Sequence, residues 1–134
     1  MVLIDTSVWI HALRPRGNAP IQAQLRALVV GGETAVTEWI LLELMTGLSR
    51  SERGADLLER FSPVHRISFR PEWWQKAWEL AAALRKDGVT PSAADCLIAT
   101  VALESSVPVI HCDEDFEEIR RHSNLQTVDW TIHL

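Results

Sequence analysis

Residues 1–11 read MVLIDTSVWIH, and this stretch decides the fold. Val2, Leu3 and Ile4 form a short apolar run that Asp5 cuts off. Thr6 and Ser7 are hydroxyl residues of the kind that cap helices. Val8, Ile10 and Leu13 then recur at helical spacing, so Thr6 to Leu13 is expected to be a helix with those three side chains packed inward. A buried strand that runs straight into a helix, with a carboxylate at the turn, opens an α/β unit. Ligands in open α/β sheets bind outside the carboxyl ends of the strands. Asp5 is expected there.

The alternation continues outward from this start. Arg14-Pro15-Arg16-Gly17-Asn18 is a loop with breakers and two bases. Pro20 to Val30 reads as a helix, with Pro20 suited to its first turn and Gly31-Gly32 at its end. Thr34 to Val36 is a strand, and Thr37 is an N-cap for a helix to about Leu48. Ser49 to Phe61 is polar and reads as a further helix, followed by a strand over His65 to Phe69. Pro71 to Lys86 is a long helix with a broad apolar side, ended by Asp87-Gly88. Thr90-Pro91-Ser92 opens the next helix, which runs to about Ser105. Val107 to Ile110 is a strand, His111 to Asp115 a loop, Phe116 to His122 a short helix, and Leu125 to Trp130 a last, edge strand. Strands alternating with helices predict an α/β fold with a mainly parallel central sheet and helices on its faces. The 134 residues are expected to form a single domain.

Composition narrows the function. Apolar residues make up 47% and charged residues 23%, which is ordinary globular usage and no sign of disorder. No run approaches the roughly 18 apolar residues of a membrane span. The N-terminal apolar run has no basic lead and is broken by Asp5, so no signal peptide is expected and the expected compartment is the cytoplasm. Cys96 and Cys112 lack zinc-ligand spacing and are expected to be small buried thiols. A net charge of −5 counts against a simple phosphate-tracking binder. It counts less against a site that concentrates acids around a metal, which reverses the local sign.

Acids stand out in four places. Glu43 lies within an apolar run, Trp39-Ile40-Leu41-Leu42 before it and Leu44-Met45 after it, where burial without a partner is costly. Its simpler alternative is the polar edge of an amphipathic helix. Asp95 sits in the first turns of its helix, where an acid also favours the macrodipole. Asp113 and Asp115 follow a strand, as Asp5 does, and one of the pair is expected to cap the helix that begins there. Glu114, Glu117 and Glu118 read as solvated charge at that helix start. Clustered carboxylates repel unless a cation joins them or protons neutralise some. Oxygen-only ligation suits Mg2+ or Mn2+. Thr6 and Ser7 are placed to hydrogen-bond such a site, and His111 either supports it or contacts a substrate. Arg14 and Arg16 are candidates to hold phosphates. Trp9 and Trp39 are expected in the core rather than stacked on bases. Trp73, Trp74 and Trp78 face either the core or a partner.

Four segments in order carry a recognisable pattern: LIDTSVWI (3–10), TEWILLELMTGL (37–48), PSAADCLIATVAL (91–103) and VIHCDEDFEEI (109–119). Together they resemble the signature segments of the PIN domain, and are especially similar to the VapC-type ribonuclease toxins of toxin–antitoxin pairs. The resemblance implies a PIN-like three-layer α/β/α sandwich whose acidic pocket binds Mg2+ or Mn2+ and hydrolyses RNA phosphodiester bonds. It implies that Asp5, Glu43, Asp95 and Asp113 are the family's four acids, with Asp115 an acid many members add. Thr6 or Ser7 matches the polar residue after the first acid, and His111 stands where members often have Thr, Ser or His. It further implies a homodimer, neutralised by a VapB-type antitoxin. The rival reading is a non-catalytic, Mg2+-binding, receiver-like signalling domain. That reading needs a lysine at a strand end, and the only lysines, Lys76 and Lys86, lie in a helix or at its end. A haloacid-dehalogenase-type phosphatase would show Asp-x-Asp at the first strand, where this chain has Asp5-Thr6-Ser7.

Overall fold

The structure is a computed structural model that describes residues 1–134. Five strands form one sheet: β1 (Val2–Ile4), β2 (Thr34–Val36), β3 (His65–Arg66), β4 (Val109–His111) and β5 (Thr127–Asp129). Their order is β3-β2-β1-β4-β5, and every pairing is parallel. Leu3 is opposite Ala35 on one side and Val109 on the other, so β1 is central.

Successive strand residues point to opposite faces. Leu3 and Ile4 are both 0% exposed. Ala35 with Val36, and Val109 with Ile110, are likewise buried. Both faces of the sheet are therefore covered by helices, as a parallel sheet requires. These are α1 (Thr6–Leu13), α2 (Ala19–Val30), α3 (Glu38–Thr46), α4 (Gly54–Arg60), α5 (Trp73–Lys86), α6 (Ala93–Ser105) and α7 (Glu114–Arg121). A 3-10 turn, Thr131–His133, closes the chain.

The element order is the one expected, and the boundaries move. The stretch Ser49–Phe61 is helical only over Gly54–Arg60, and β3 ends at Arg66 rather than Phe69. Beyond that point the Ile67 N–H still bonds to the Val36 carbonyl at 2.8 Å, but the Phe69 N–H turns to the Glu38 side chain. Strand β4 starts after Pro108, which has no N–H to give, and includes His111. Helix α7 starts at Glu114, two residues before Phe116. Strand β5 is shorter than Leu125–Trp130 and lies at the sheet edge.

Ile10, expected inside, is exposed, because Val8 and Trp9 take the buried face of α1 instead. The Trp9 indole packs on Phe61 with centroids 4.6 Å apart, and its N–H donates to the Ile4 carbonyl. Trp39, also expected inside, is 37% exposed beside Trp74, since Ile40 and Leu41 fill the core under α3.

Helix α6 ends on Ser106, which has φ 54° and ψ 43°, the left-handed conformation usually given to glycine. We expect Ser106→Gly to raise unfolding free energy by about 1 kcal/mol, since a side chain there costs roughly that much. Urea titration of the two proteins measures the difference.

Candidate metal centre

The chain runs from β1 outward to β2 and β3, then returns past β1 to β4. This reversal leaves a crevice beyond the carboxyl ends of β1 and β4, the place where open α/β sheets bind ligands. Asp5 follows β1 and Asp113 follows β4, so the two acids flank it. The Asp5 N–H bonds to the Ile110 carbonyl at 2.9 Å and ties the two strand ends together.

Asp5 is itself the N-cap of α1, where Thr6 or Ser7 was expected. Asp5 has the extended backbone a cap needs, φ −68° and ψ 155°, whereas Thr6 and Ser7 are already helical. Its Oδ2 accepts the Ser7 N–H at 3.0 Å and the Ser7 hydroxyl at 2.5 Å. Ser7 Oγ in turn accepts the Cys112 N–H at 2.9 Å, a second tie between the strand ends. Asp113 caps α7, with Oδ1 accepting the Asp115 N–H at 3.0 Å. Asp95 lies in the first turn of α6, its N–H held by the Ser92 hydroxyl at 3.1 Å.

Ligand atoms of Asp95, Asp113 and Asp115 lie within 4.8 Å of one another. Asp5 is buried beside them, and its charge is felt by Asp95. Glu43 sits at the margin, half-buried, where it accepts a hydrogen bond from the Thr6 hydroxyl at 2.7 Å. Of the expected acids, Asp95, Asp113 and Asp115 form the close cluster, and Asp5 is near enough to act on Asp95. Glu43 is joined to Thr6, the residue after Asp5, while Ser7 links Asp5 to the β4 loop. The N-termini of α1, α6 and α7 all meet here, and their partial positive charge favours carboxylates.

That help is incomplete. Asp95 is only 8% exposed. Burial, and then the charges of Asp113, Asp5 and Asp115, push its carboxyl up to about 7 against the pull of Ser92. Burial also raises Asp5, opposed by hydrogen bonds from Ser7 and Thr6, and it raises Glu43, with Asp5 adding to the effect. The donor set is all oxygen, which fits a hard divalent cation. The thiols do not join it. Burial, then Asp129 and Asp5, push the Cys112 thiol up to about 11, and Cys96 is raised too. Cys112 is partly exposed rather than buried, because it lies in the loop beyond β4.

His111 is 0% exposed, which closes the substrate-contact alternative. Its Nε2 lies 2.8 Å from Glu117 Oε2, and its Nδ1 accepts the Asp113 N–H at 3.1 Å. Glu117, expected to be solvated, also accepts from Thr127 Oγ1 at 2.5 Å and Arg120 Nε at 2.9 Å. Burial works to raise the Glu117 carboxyl, but these hydrogen bonds outweigh it and hold it at about 2. Nothing in the local spacing marks Glu117, since Thr127 reaches it from another strand. Arg14 is exposed, within 2.6 Å of His11 Nδ1, and lines a groove that also contains Glu43. Arg16 is exposed and outside that groove.

The sequence profile of the PIN domain matches residues 2–122. The chain belongs to the PIN-domain family. Ribonuclease VapC11 of Mycobacterium tuberculosis is 30% identical over 137 aligned positions, covering 97% of this chain and 99% of that protein. The VapBC2 complex of Rickettsia felis, crystallised on a DNA fragment from its promoter, superposes with a TM-score of 0.79 at 22% identity, covering 97% of this chain and 99% of the other. Mycobacterium tuberculosis VapC20, described as a toxin that cleaves the sarcin–ricin loop, gives a TM-score of 0.65 at 23% identity, with 87% and 93% covered. The fold is therefore the α/β/α sandwich of a PIN domain, and the receiver-like alternative falls away.

The raised Asp95 carboxyl gives this PIN domain a pH signature. Asp95 is protonated in the folded chain up to about pH 7 and in the unfolded chain only up to its ordinary 3.8. Its contribution to stability is therefore full below pH 4 and is lost as pH rises towards 7. In EDTA, Asp95→Asn should be more stable than the parent at pH 8, by roughly 1–4 kcal/mol. The difference should shrink towards pH 5. Urea unfolding at both pH values tests this, and an equal difference at both would contradict it.

Proposed function

We propose that this chain is a VapC-type ribonuclease that hydrolyses RNA phosphodiester bonds with Mg2+ or Mn2+. The whole of 1–134 acts as one domain. The observation that carries this reading is the convergence of carboxylates from separate segments on the crevice between β1 and β4, with oxygen donors alone. Asp5, Asp95, Asp113 and Asp115 would hold the ion, and Glu43 would act at the margin as a further ligand or to orient the attacking water.

When bound, the divalent ion supplies the positive charge that offsets the phosphoryl oxygens and lowers the pKa of water. The chain's own part is to prepare for that charge. Ser7 fixes Asp5, the α7 cap fixes Asp113, and the Ser92-capped first turn of α6 presents Asp95. Glu43, held by Thr6, is raised above its ordinary range by burial and so is suited to take a proton from water. Arg14, which lines the groove beside Glu43, would hold a phosphate of the bound strand, and Arg16, in the same loop after α1, would reach a flanking one.

The partners follow from the same reading. The Rickettsia felis relative is a toxin–antitoxin complex, and a VapB-type antitoxin is the partner proposed here. Self-association as a homodimer is supported by an apolar surface across α3 and α5, where Trp39, Leu42, Trp74 and Trp78 are all exposed. Trp78 is 62% exposed, a cost that a partner face would remove. No helix is long and apolar enough to cross a membrane, and the proposed place of action is the cytoplasm.

Purified protein should cut RNA with Mg2+ or Mn2+, and EDTA should stop it. Asp5→Asn and Asp95→Asn should each lower the rate at least about 100-fold while circular dichroism stays unchanged. Cutting that persists in both folded variants would place the chemistry elsewhere. Trp78→Glu should shift the protein towards monomer in sedimentation velocity, and an unchanged dimer would move the interface off this face.

A further inference from the structure

We infer that His111 and Glu117 are positioning residues for Asp113: Glu117 fixes the His111 ring, and the ring holds the Asp113 backbone where its carboxylate reaches the ion. This rests on the metal-dependent reading above and goes beyond it in naming what supports one ligand.

His111 is the last residue of β4, and its ring has no exposed surface. A buried imidazole must satisfy both nitrogens. Because the Asp113 N–H donates to Nδ1, Nδ1 is an acceptor and the ring proton is on Nε2. Nε2 then donates to Glu117 Oε2 at 2.8 Å. Glu117 is gripped from two more directions, by Thr127 of β5 on Oε2 and by Arg120 of its own helix on Oε1. The ring also packs on Phe116, with centroids 5.4 Å apart. Its tautomer and its orientation are therefore both set.

The ring spends its one acceptor on the amide of a proposed ligand rather than on a core group. This matters because Asp113 faces Asp95 and Asp115 at close range. When all three are ionised and no cation joins them, their mutual repulsion pushes the β4–α7 loop outward. The bond from the Asp113 amide to His111 opposes that push at the backbone. Partners behind ligating carboxylates commonly set metal affinity in this way.

The test compares Mn2+ binding by calorimetry in the full chain and in His111→Leu, His111→Asn and Glu117→Ala, each checked for folding. Ile21→Val, a buried change on α2, controls for lost stability. His111→Leu and Glu117→Ala should weaken Mn2+ binding about 10- to 100-fold, and Ile21→Val should not. Asn at 111 keeps a side-chain carbonyl that can accept the amide two residues on, as in an Asx turn. His111→Asn, which keeps the acceptor but not the bond to Glu117, should therefore recover part of the binding that His111→Leu loses. Nitrogen-15 spectra of the parent without metal should show Nδ1 unprotonated and Nε2 protonated. A ring protonated on Nδ1, unchanged affinity in His111→Leu and Glu117→Ala, or a His111→Asn as weak as His111→Leu would each overturn the inference alone. A parent that binds no Mn2+ would overturn the metal-dependent reading, and this inference with it.

Discussion

The rest of the structure depends on holding several carboxylates together out of water. Asp5, Asp95 and Asp113 come from segments far apart in the chain, and Asp95 shows the tension most clearly, with its carboxyl pushed up to about 7. Like charges in a partly buried crevice separate unless something holds them. The fold supplies three kinds of restraint. Strand ends are tied by backbone and Ser7 hydrogen bonds. Three helix N-termini point their partial positive charge at the cluster. Buried partners behind the loops, such as His111, fix the backbone. What remains unbalanced is the negative charge itself, which the proposed divalent cation would answer.

This arrangement explains how the acids are held in place. The central strands are short, three residues each in β1, β2 and β4, yet every one is buried on both faces. Their carboxyl ends are therefore fixed by the core, and the acids inherit that precision. Glu117 extends the same logic outward, joining β4, α7 and the edge strand β5 through one carboxylate. The surface away from the crevice is treated differently. Trp39, Trp74 and Trp78 stay exposed where Ile40, Leu41, Trp73 and Ala77 already fill the core beneath them.

Much of this was legible in the residues. Val2-Leu3-Ile4 followed by Asp5 could be read as a strand end with an acid, because a continuous apolar run stopped by a carboxylate has few other uses. Glu43 stood out because it interrupts an apolar helix, and Asp113 because it follows Val109-Ile110. The positions of the caps were less legible. Asp5 displaced Thr6 and Ser7 as the cap of α1, since backbone dihedrals, not side-chain type, choose between adjacent oxygen-bearing residues. Ile10 and Trp39 were misplaced because two overlapping apolar faces fit the same helical period, and only the neighbours choose between them.

The sequence by itself determined the alternation of strands and helices, and the four acidic segments and their order. These follow from local chemistry: periodicity, breakers and the cost of burying a lone carboxylate. Only the tertiary structure decided that β1 and β4 are neighbours, that His111 is sealed from solvent, and that Glu117 belongs to a buried network rather than to a solvated helix start. Each of those depends on a partner distant along the chain, Ile110 for Asp5 and Thr127 for Glu117, and no local pattern encodes which distant residue will arrive.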